Sequence, residues 1–275
     1  MRLFLVRHGE TVDNVAGLYA GIRDSPLTTH GVLQARRLAS HFASRSSSIG
    51  PVTHIFSSDL QRAVSTAQAI VDAQVTKATE KEDTDHSKLQ LVQVVELRER
   101  DFRSAEGKRF GTPHSDAETH DEMRARATDF VQVHLDPLLD SISNGDNCKT
   151  NTTVVVVAHG LILNSLLRSL LARYAPEELT RLANAKLSSG SVAGRSEFLA
   201  AWSNTGYLEM KVDAIASSEE TEKSTVQLTV VRVNVLDHLH GLKRTRGGIG
   251  SAKFDSKQKT MDLFFKPAAK KRRVG

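Results

Sequence analysis

Cysteine and long hydrophobic runs are nearly absent from this chain of 275 residues, whose single cysteine is Cys148. One cysteine cannot form an intramolecular disulfide, so the sequence predicts a protein of a reducing compartment. No stretch of about 18 apolar residues is present that could span a bilayer. The apolar stretch at residues 3–6 is also too short for a signal peptide. We therefore expect an intracellular protein with no membrane partner.

The positive charge is concentrated in the C-terminal part of the chain. The formal net charge is +5. Residues 238–275 contain eleven Lys or Arg and two Asp, a balance of +9, which leaves −4 for residues 1–237. Any attraction to polyanions is therefore expected of the tail and not of the body. No direct sequence-specific binding of nucleic acid is expected.

Short apolar strands alternate with amphipathic helices over residues 1–237. Four consecutive valines in residues 152–159 are typical of a strand covered by helices on both faces. The segment DLQRAVSTAQAIV repeats apolar residues at helical spacing. Further strands are predicted at residues 2–6, 207–212 and 226–235, and further helices at residues 29–45 and 118–142. This alternation predicts an α/β fold.

Two segments depart from this pattern. Residues 76–90 are polar and weakly periodic, which favours a surface insertion. After Asp237 the periodicity stops, and residues 238–275 are basic and poor in core-forming side chains. The sequence therefore predicts a globular domain over residues 1–237 and a disordered basic tail over residues 238–275.

Two histidines stand at the ends of predicted strands. His8 follows the first strand and His159 follows the valine-rich one, and each precedes a glycine. Ligands of open α/β sheets bind outside the carboxyl ends of the strands, so both histidines can face one crevice. The alternative is a pair of structural histidines with ordinary hydrogen bonds. A zinc site would require further ligands at close spacing, which neither histidine has, so no metal or cofactor is expected.

Arginines near these histidines favour a phosphoryl group as the ligand. Arg7 adjoins His8, and Arg62 lies at the start of a predicted helix, off its apolar stripe. Guanidinium groups match phosphate oxygens in a bidentate manner, and a neutral imidazole can hold a phosphoryl group covalently. A leaving alkoxide needs a proton, for which we select Glu99. The alternative for Glu99 is a solvated loop carboxylate.

Five segments together resemble a known family. LVRHGETVDN, SPLTTHGVLQA, SSDLQRAVSTA, LRERDF and VVVVAHG, in this order, are similar to the histidine phosphatase superfamily of phosphoglycerate-mutase-like proteins. The resemblance runs from Arg2 to about Val212 and implies a three-layer α/β/α sandwich with a mainly parallel central sheet. It implies that His8 is the phosphorylated nucleophile and Glu99 the proton donor. The implied phosphate pocket comprises Arg7, Asn14, Gly21, Arg62 and His159.

The sequence also departs from the family's pattern. Phe102 is followed by Arg103 and Ser104, where the family often has a glycine. Leu18 and Ala20 occupy positions where mutases tend to carry polar groups. These differences favour a phosphatase, with water as the acceptor, acting on a phosphorylated small molecule or phosphoprotein. A phosphoglycerate mutase or sugar-bisphosphatase on the same scaffold is the alternative.

The tail contains two adjacent phenylalanines. Gln258, Met261, Phe264 and Phe265 follow the spacing Gln-x-x-aliphatic-x-x-aromatic-aromatic and resemble the PCNA-interacting peptides known as PIP boxes. One helical turn places Met261 and Phe264 on one side, with Phe265 beside them. The resemblance implies that residues 258–265 bind the PCNA sliding clamp. The alternative is that both rings fold back onto the protein's own surface.

A basic cluster follows this motif within residues 266–274. It resembles a nuclear localisation signal and comprises Lys270, Lys271, Arg272 and Arg273. A solvated run of charge is the alternative. The two tail motifs support each other because the clamp works in the nucleus. We therefore expect the protein in the nucleus, with the cytoplasm as the alternative. A function of another class stays open, namely a clamp-binding module with a vestigial catalytic domain.

Overall fold

The computed structural model describes residues 1–79, 89–143, 152–174, 200–215, 225–243 and 249–255. The PIP-box-like motif at residues 258–265 and the basic cluster at residues 266–274 lie outside these ranges. So do Cys148 and residues 80–88 of the predicted insertion. The helix that precedes this insertion continues to Thr79, inside the predicted loop.

In the described ranges, six strands form one mixed sheet in the order β3-β2-β4-β1-β5-β6. The pairs β3–β2, β2–β4 and β4–β1 are parallel, whereas β5 and β6 are antiparallel to their neighbours. The strands are β1 (Arg2–Arg7), β2 (Val52–Ser58), β3 (Leu91–Val94), β4 (Thr153–Ala158), β5 (Tyr207–Ile215) and β6 (Thr225–Val235). The mainly parallel sheet expected from the sequence is confirmed.

Helices cover both faces of the sheet. They are α1 (Val12–Ala16), α2 (Thr29–Ile49), α3 (Gln61–Thr79), α4 (His120–Phe130), α5 (Asp136–Ser143) and α6 (Gly160–Tyr174). The helix predicted over residues 118–142 is confirmed, because α4 and α5 follow one another without a break through a π-helical turn at Val131–Leu135.

The valine run of β4 shows how the three layers form. Val154 and Val156 point into a core shared with α4, α5 and α6, whereas Val155 and Val157 point into the core beneath α2 and α3. All four valines have no exposed surface. Alternate side chains of a strand face opposite sides, so a continuous apolar strand requires helices on both faces. In the described ranges no helix is long and apolar enough to cross a membrane.

The predicted onset of disorder at His238 is wrong for two described stretches. Residues 238–243 follow β6 and are anchored by His238, which is 8% exposed. Residues 252–254 lie along residues 27–29, where the backbone N–H of Thr29 donates to Ala252 at 3.1 Å and that of Phe254 to Leu27 at 3.1 Å. Backbone pairing holds this stretch, so hydrophobic periodicity could not reveal it.

Candidate active site

The register of β1 against β4 places the two histidines side by side. Arg7 is paired with Ala158 in the parallel ladder, so His8 and His159 leave the sheet at the same level. The backbone N–H of His8 donates to the carbonyl of Ala158 at 3.0 Å. The two imidazole rings lie 5.0 Å apart between centroids. Both are buried, which makes the pair the floor of the candidate site.

The hydrogen bonds of His8 fix its tautomer. Its Nδ1 lies 2.7 Å from the carbonyl oxygen of Gly9. A carbonyl oxygen only accepts hydrogen bonds, so Nδ1 carries the proton of the neutral ring. The lone pair is therefore on Nε2. This nitrogen has the electron pair that a nucleophile needs.

The tautomer of His159 is the opposite one. Nε of Arg62 donates to Nδ1 of His159 at 3.1 Å. Because a guanidinium group only donates, Nδ1 of His159 holds a lone pair and Nε2 carries the proton. This Nε2–H is buried and has no hydrogen-bond partner in the part of the chain that the structure describes. It is a donor ready for an oxyanion.

Arg62 is 1% exposed and is held rigidly at the start of α3. One of its terminal nitrogens donates to the carbonyl of Arg23 at 2.8 Å, and the other donates to that of Gly21 at 2.6 Å. A guanidinium has five N–H groups, so two remain after these bonds and the bond to His159. Burial lowers the pKa of Arg62 to about 10, with Glu99 the largest opposing influence. The side chain therefore keeps its charge at neutral pH.

Arg7 brings a second buried cation to the site. One terminal nitrogen of its guanidinium donates to the carbonyl of Trp202 at 2.5 Å. Its Nε is buried and unpaired within the described ranges. Burial lowers the pKa of Arg7, and the charge of Glu99 opposes this shift. Arg7 and His159 thus each carry a buried N–H group that has no partner in the described residues, and the His159 ring lies next to that of His8.

Burial and positive charge together keep both imidazoles neutral. Burial lowers the pKa of His8 well below 6.5, and the charges of Arg62 and Arg7 lower it further. The pKa of His159 is lowered well below 6.5 by the same causes, burial first and then Arg62. Neutral rings beside two guanidinium groups favour an anionic ligand over a cation.

Glu99 lies beside the N-terminus of α6, which begins directly after His159. Its carboxylate accepts the backbone N–H groups of Leu161 and Ile162, each at 3.3 Å, and that of Arg100 at 3.0 Å. Its negative charge acts on both Arg7 and Arg62. The alternative of an isolated solvated carboxylate does not describe this environment.

Asn14 and Gly21 occupy the rim. The side-chain oxygen of Asn14 accepts the N–H of Thr11 at 3.2 Å and the side-chain N–H of Asn204 at 3.0 Å. This leaves the amide N–H groups of Asn14 as its donors. Gly21 contributes its backbone carbonyl, which holds Arg62. The structure therefore gives Gly21 a contact to the arginine, and no direct contact to a phosphate is implied by it.

The segment before β5 also supports the nucleophile, which sequence reasoning missed. The backbone N–H of Thr205 donates to the carbonyls of Arg7 at 3.0 Å and His8 at 3.2 Å. The side chain of Asn204 donates to the carbonyl of His8 at 3.2 Å. Thr205 has a φ of 57°, an unusual conformation for a β-branched residue. In the sequence, only the turn-forming residues 203–206 (SNTG) indicated this support of the His8 backbone.

The backbone after Phe102 explains one departure from the family's pattern. Arg103 has a φ of 45°, in the left-handed region that favours glycine. Its backbone N–H donates to the side chain of Asp101 at 2.7 Å, which supports the turn. The conformation that a glycine would adopt is thus kept without the glycine.

No group of three or more His, Cys, Asp or Glu side chains that could hold a metal ion occurs in the described residues. The donors that converge on the site are N–H groups of guanidinium, imidazole and amide. Such groups bind anions and do not ligate cations.

Comparisons with known proteins identify relatives of this chain. The family described as "Histidine phosphatase superfamily (branch 1)" matches residues 3–205. A Schizosaccharomyces pombe protein named as a probable phosphatase is 30% identical over 272 residues, covering 94% of this chain and 78% of the relative. A probable phosphoglycerate mutase of Proteus mirabilis is 30% identical over 198 residues, covering 68% of this chain and 83% of the relative.

Solved structures share the fold. "Mycobacterial hydrolase 1" is 22% identical with a TM-score of 0.59, covering 85% of this chain and 98% of that one. A mycobacterial glucosyl-3-phosphoglycerate phosphatase is 20% identical with a TM-score of 0.58, covering 86% of this chain and 99% of that one. The match over residues 3–205 and the fission yeast relative show that this chain belongs to the histidine phosphatase superfamily and is a phosphoglycerate-mutase-like hydrolase.

Proposed function

We propose that the chain is a metal-independent phosphomonoesterase that acts through a phosphohistidine on His8. One observation carries this proposal. His8 is neutral with its lone pair on Nε2, the ring of His159 lies 5.0 Å away, and His159 and the adjoining Arg7 each carry a buried N–H without a partner in the described residues. A nucleophile next to unsatisfied donors is what a phosphoryl transfer site requires.

The reaction proceeds in two displacements. In the first, Nε2 of His8 forms a bond to phosphorus while the bond from phosphorus to the ester oxygen breaks, and Glu99 gives its proton to the departing oxygen. In the second, water loses a proton to Glu99 and its oxygen attacks phosphorus. The bond from phosphorus to Nε2 breaks, the electron pair returns to His8, and free phosphate leaves.

The surrounding groups stabilise the charge of each transition state. Phosphorylation at Nε2 makes the ring positive, and the bond from Nδ1–H to the Gly9 carbonyl then strengthens. The equatorial phosphoryl oxygens face the charges of Arg7 and Arg62 and the N–H of His159. Because these donors are already fixed by Trp202, Gly21 and Arg23, little reorganisation is needed.

Hydrolysis is favoured over transfer to a second hydroxyl. The relative named as a probable phosphatase matches 94% of this chain, whereas the one named as a probable mutase matches 68%. Incubation with labelled phosphoglycerate distinguishes the two reactions. We expect release of free phosphate, and movement of the label between hydroxyls without release would establish the mutase instead.

The acid limb of the activity profile provides a test of the His8 environment. Burial lowers the pKa of His8 well below 6.5, so the ring stays neutral and nucleophilic as the pH falls through 6.5. We expect kcat/KM, corrected for the fraction of dianionic ester, to stay level from pH 7 to below 6.5 and to fall only at lower pH. A half-maximal loss near pH 6.5 would show a solvated imidazole as the nucleophile.

We propose further that the tail directs the enzyme to the PCNA clamp in the nucleus. This proposal is supported by the spacing of Gln258, Met261, Phe264 and Phe265 and by the basic cluster that follows. A three-pronged apolar plug gains free energy only when a pocket removes it from water. Positive charge beside the plug suits an import receptor's acidic surface.

The tail is tested with the full chain and purified clamp. We expect the protein to bind PCNA, and the double substitution Phe264→Ala and Phe265→Ala to weaken binding by at least about 100-fold, because the two rings form most of the plug. Substitution of Lys270 and Lys271 by Ala serves as the control, since it should alter nuclear import and leave clamp affinity within a few-fold. Equal binding by the double phenylalanine variant would exclude the PIP-box function.

A further inference from the structure

A tight turn at residues 21–23 holds the arginine that orients His159. The carbonyls of Gly21 and Arg23 accept the two terminal nitrogens of Arg62. Nε of Arg62 then donates to His159. Any movement of this turn therefore shifts the guanidinium and, through it, the imidazole N–H that faces the candidate phosphoryl group.

Glu106 holds this turn from the other side. Its Oε1 accepts the backbone N–H of Ile22 at 2.7 Å. The same oxygen lies 1.9 Å from where a Cβ of residue 21 would be, so the carboxylate fills the space left by Gly21. Gly21 has a φ of 55°, which also favours glycine. The Glu106 carboxylate thus packs directly against the backbone of Gly21, which has no side chain in between.

The segment that carries Glu106 is itself fixed to the turn. The N–H of Gly107 donates to the carbonyl of Tyr19 at 2.7 Å, and the N–H of Tyr19 donates to the carbonyl of Lys108 at 2.9 Å. Glu106 is half-buried, and burial raises its pKa, against the opposing effect of the Ile22 N–H. A carboxylate kept in such a place at a cost in desolvation indicates a specific task.

We propose that Glu106 is a positioning residue of the active site. Its carboxylate clamps the 21–23 turn, whose carbonyls aim Arg62 at His159 and at the transferred phosphoryl group. This inference rests on the proposed function, because it assigns Glu106 a role in a reaction that His8, Arg62 and His159 perform. In the described residues Glu106 has no hydrogen bond to His8, Arg62 or His159, so its effect on them is exerted through the turn.

Two substitutions separate positioning from folding. Glu106→Ala removes the acceptor for Ile22, and we expect kcat to fall about 10- to 100-fold, because small displacements of catalytic groups have effects of this size. Glu106→Gln keeps an acceptor oxygen and should recover most of that loss. Glu122→Ala is the matched control. Glu122 also accepts a backbone N–H, that of Thr119, but within the described residues it makes no hydrogen bond to the 21–23 turn or to Arg62.

Binding of inorganic phosphate, followed by titration calorimetry, provides a readout that does not depend on turnover. We expect the affinity for phosphate to fall at least about 10-fold in Glu106→Ala and to change less than about 2-fold in Glu122→Ala. Wild-type kcat and phosphate affinity in a folded Glu106→Ala protein would overturn the proposal. Equal losses in Glu106→Gln and Glu106→Ala would also overturn it, since the acceptor would then be irrelevant.

A double-mutant cycle tests the contact itself. In Gly21→Ala the new methyl group collides with the Glu106 carboxylate, so activity should fall strongly. In the Glu106→Ala background the space is open, and the further loss on Gly21→Ala should be at least about 5-fold smaller. Independent effects would show that the two residues do not act as one unit.

The outcomes distinguish this inference from the proposed function. If His8→Ala retained full activity, the phosphohistidine mechanism would be excluded, regardless of the activity of the Glu106 variants. If His8→Ala were inactive while Glu106→Ala bound phosphate and turned over as the wild type does, only the positioning role would fall.

Discussion

Replacement of His8 by Ala should lower kcat/KM for p-nitrophenyl phosphate by at least about 10,000-fold, the scale of loss when a covalent nucleophile is removed. The substitution deletes Nε2, the only group to which the phosphoryl is bonded between the two displacements. Arg7, Arg62 and His159 keep their places, so inorganic phosphate should still bind. The assay is run with a chelator present, which excludes catalysis by adventitious metal.

His240→Ala is the matched control for this substitution. His240 is an exposed histidine whose backbone carbonyl, and not its ring, accepts the hydrogen bond from Arg37. Its activity should equal that of the wild type. Rapid quenching with labelled ester should trap one acid-labile phosphoryl group per wild-type chain and none in His8→Ala. Undiminished turnover by a correctly folded His8→Ala protein would falsify the mechanism.

The sequence predicted the two histidines because their position depends on a short-range rule. A valine-rich strand and an apolar N-terminal strand are each followed by His-Gly, and parallel strands end at one edge of a sheet. The ladder that pairs Arg7 with Ala158 then makes His8 and His159 neighbours. The strand ends can be recognised from local sequence, whereas the pairing of β1 with β4 joins distant segments and is established by the structure.

Contacts between distant segments could not be predicted in the same way. Thr205 and Asn204 reach the His8 carbonyl from a segment about 200 residues away in the chain, and no periodicity marks them. Residues 252–254 are basic and weakly apolar, yet they pair with residues 27–29 through backbone hydrogen bonds. Such pairing depends on where the chain returns, which composition does not encode.

The role of Arg62 lies between these cases. Its position off the apolar stripe of α3 predicted a functional side chain. The sequence alone did not indicate that this side chain is 1% exposed, or that one of its nitrogens sets the tautomer of His159. Those properties come from the Gly21 and Arg23 carbonyls, whose placement depends on the turn that precedes α2.

Replacement of Arg62 by Lys therefore has a second large expected effect. Lysine keeps one positive charge and three N–H donors, but all three are on one nitrogen. They cannot replace the three separate nitrogens from which Arg62 reaches His159, Arg23 and Gly21. We expect kcat/KM to fall by about 100- to 10,000-fold, since both the charge geometry and the imidazole donor are lost. Nitrogen NMR of His159 should show the Nε2–H tautomer in the wild type and a mixture in Arg62→Lys.

Arg36→Lys, an exchange at an exposed position of α2, separates this effect from a general loss of arginine. Its activity and its His159 spectrum should match those of the wild type. Arg62→Ala provides a converse experiment, because added guanidinium ion can enter the vacated space and restore part of the activity, whereas ammonium ion should not. If Arg62→Lys retained activity within about 3-fold, a positive charge of any shape would suffice. The hydrogen bonds by which Arg62 joins the 21–23 turn to His159 would then contribute to the stability of the fold and not to phosphoryl transfer.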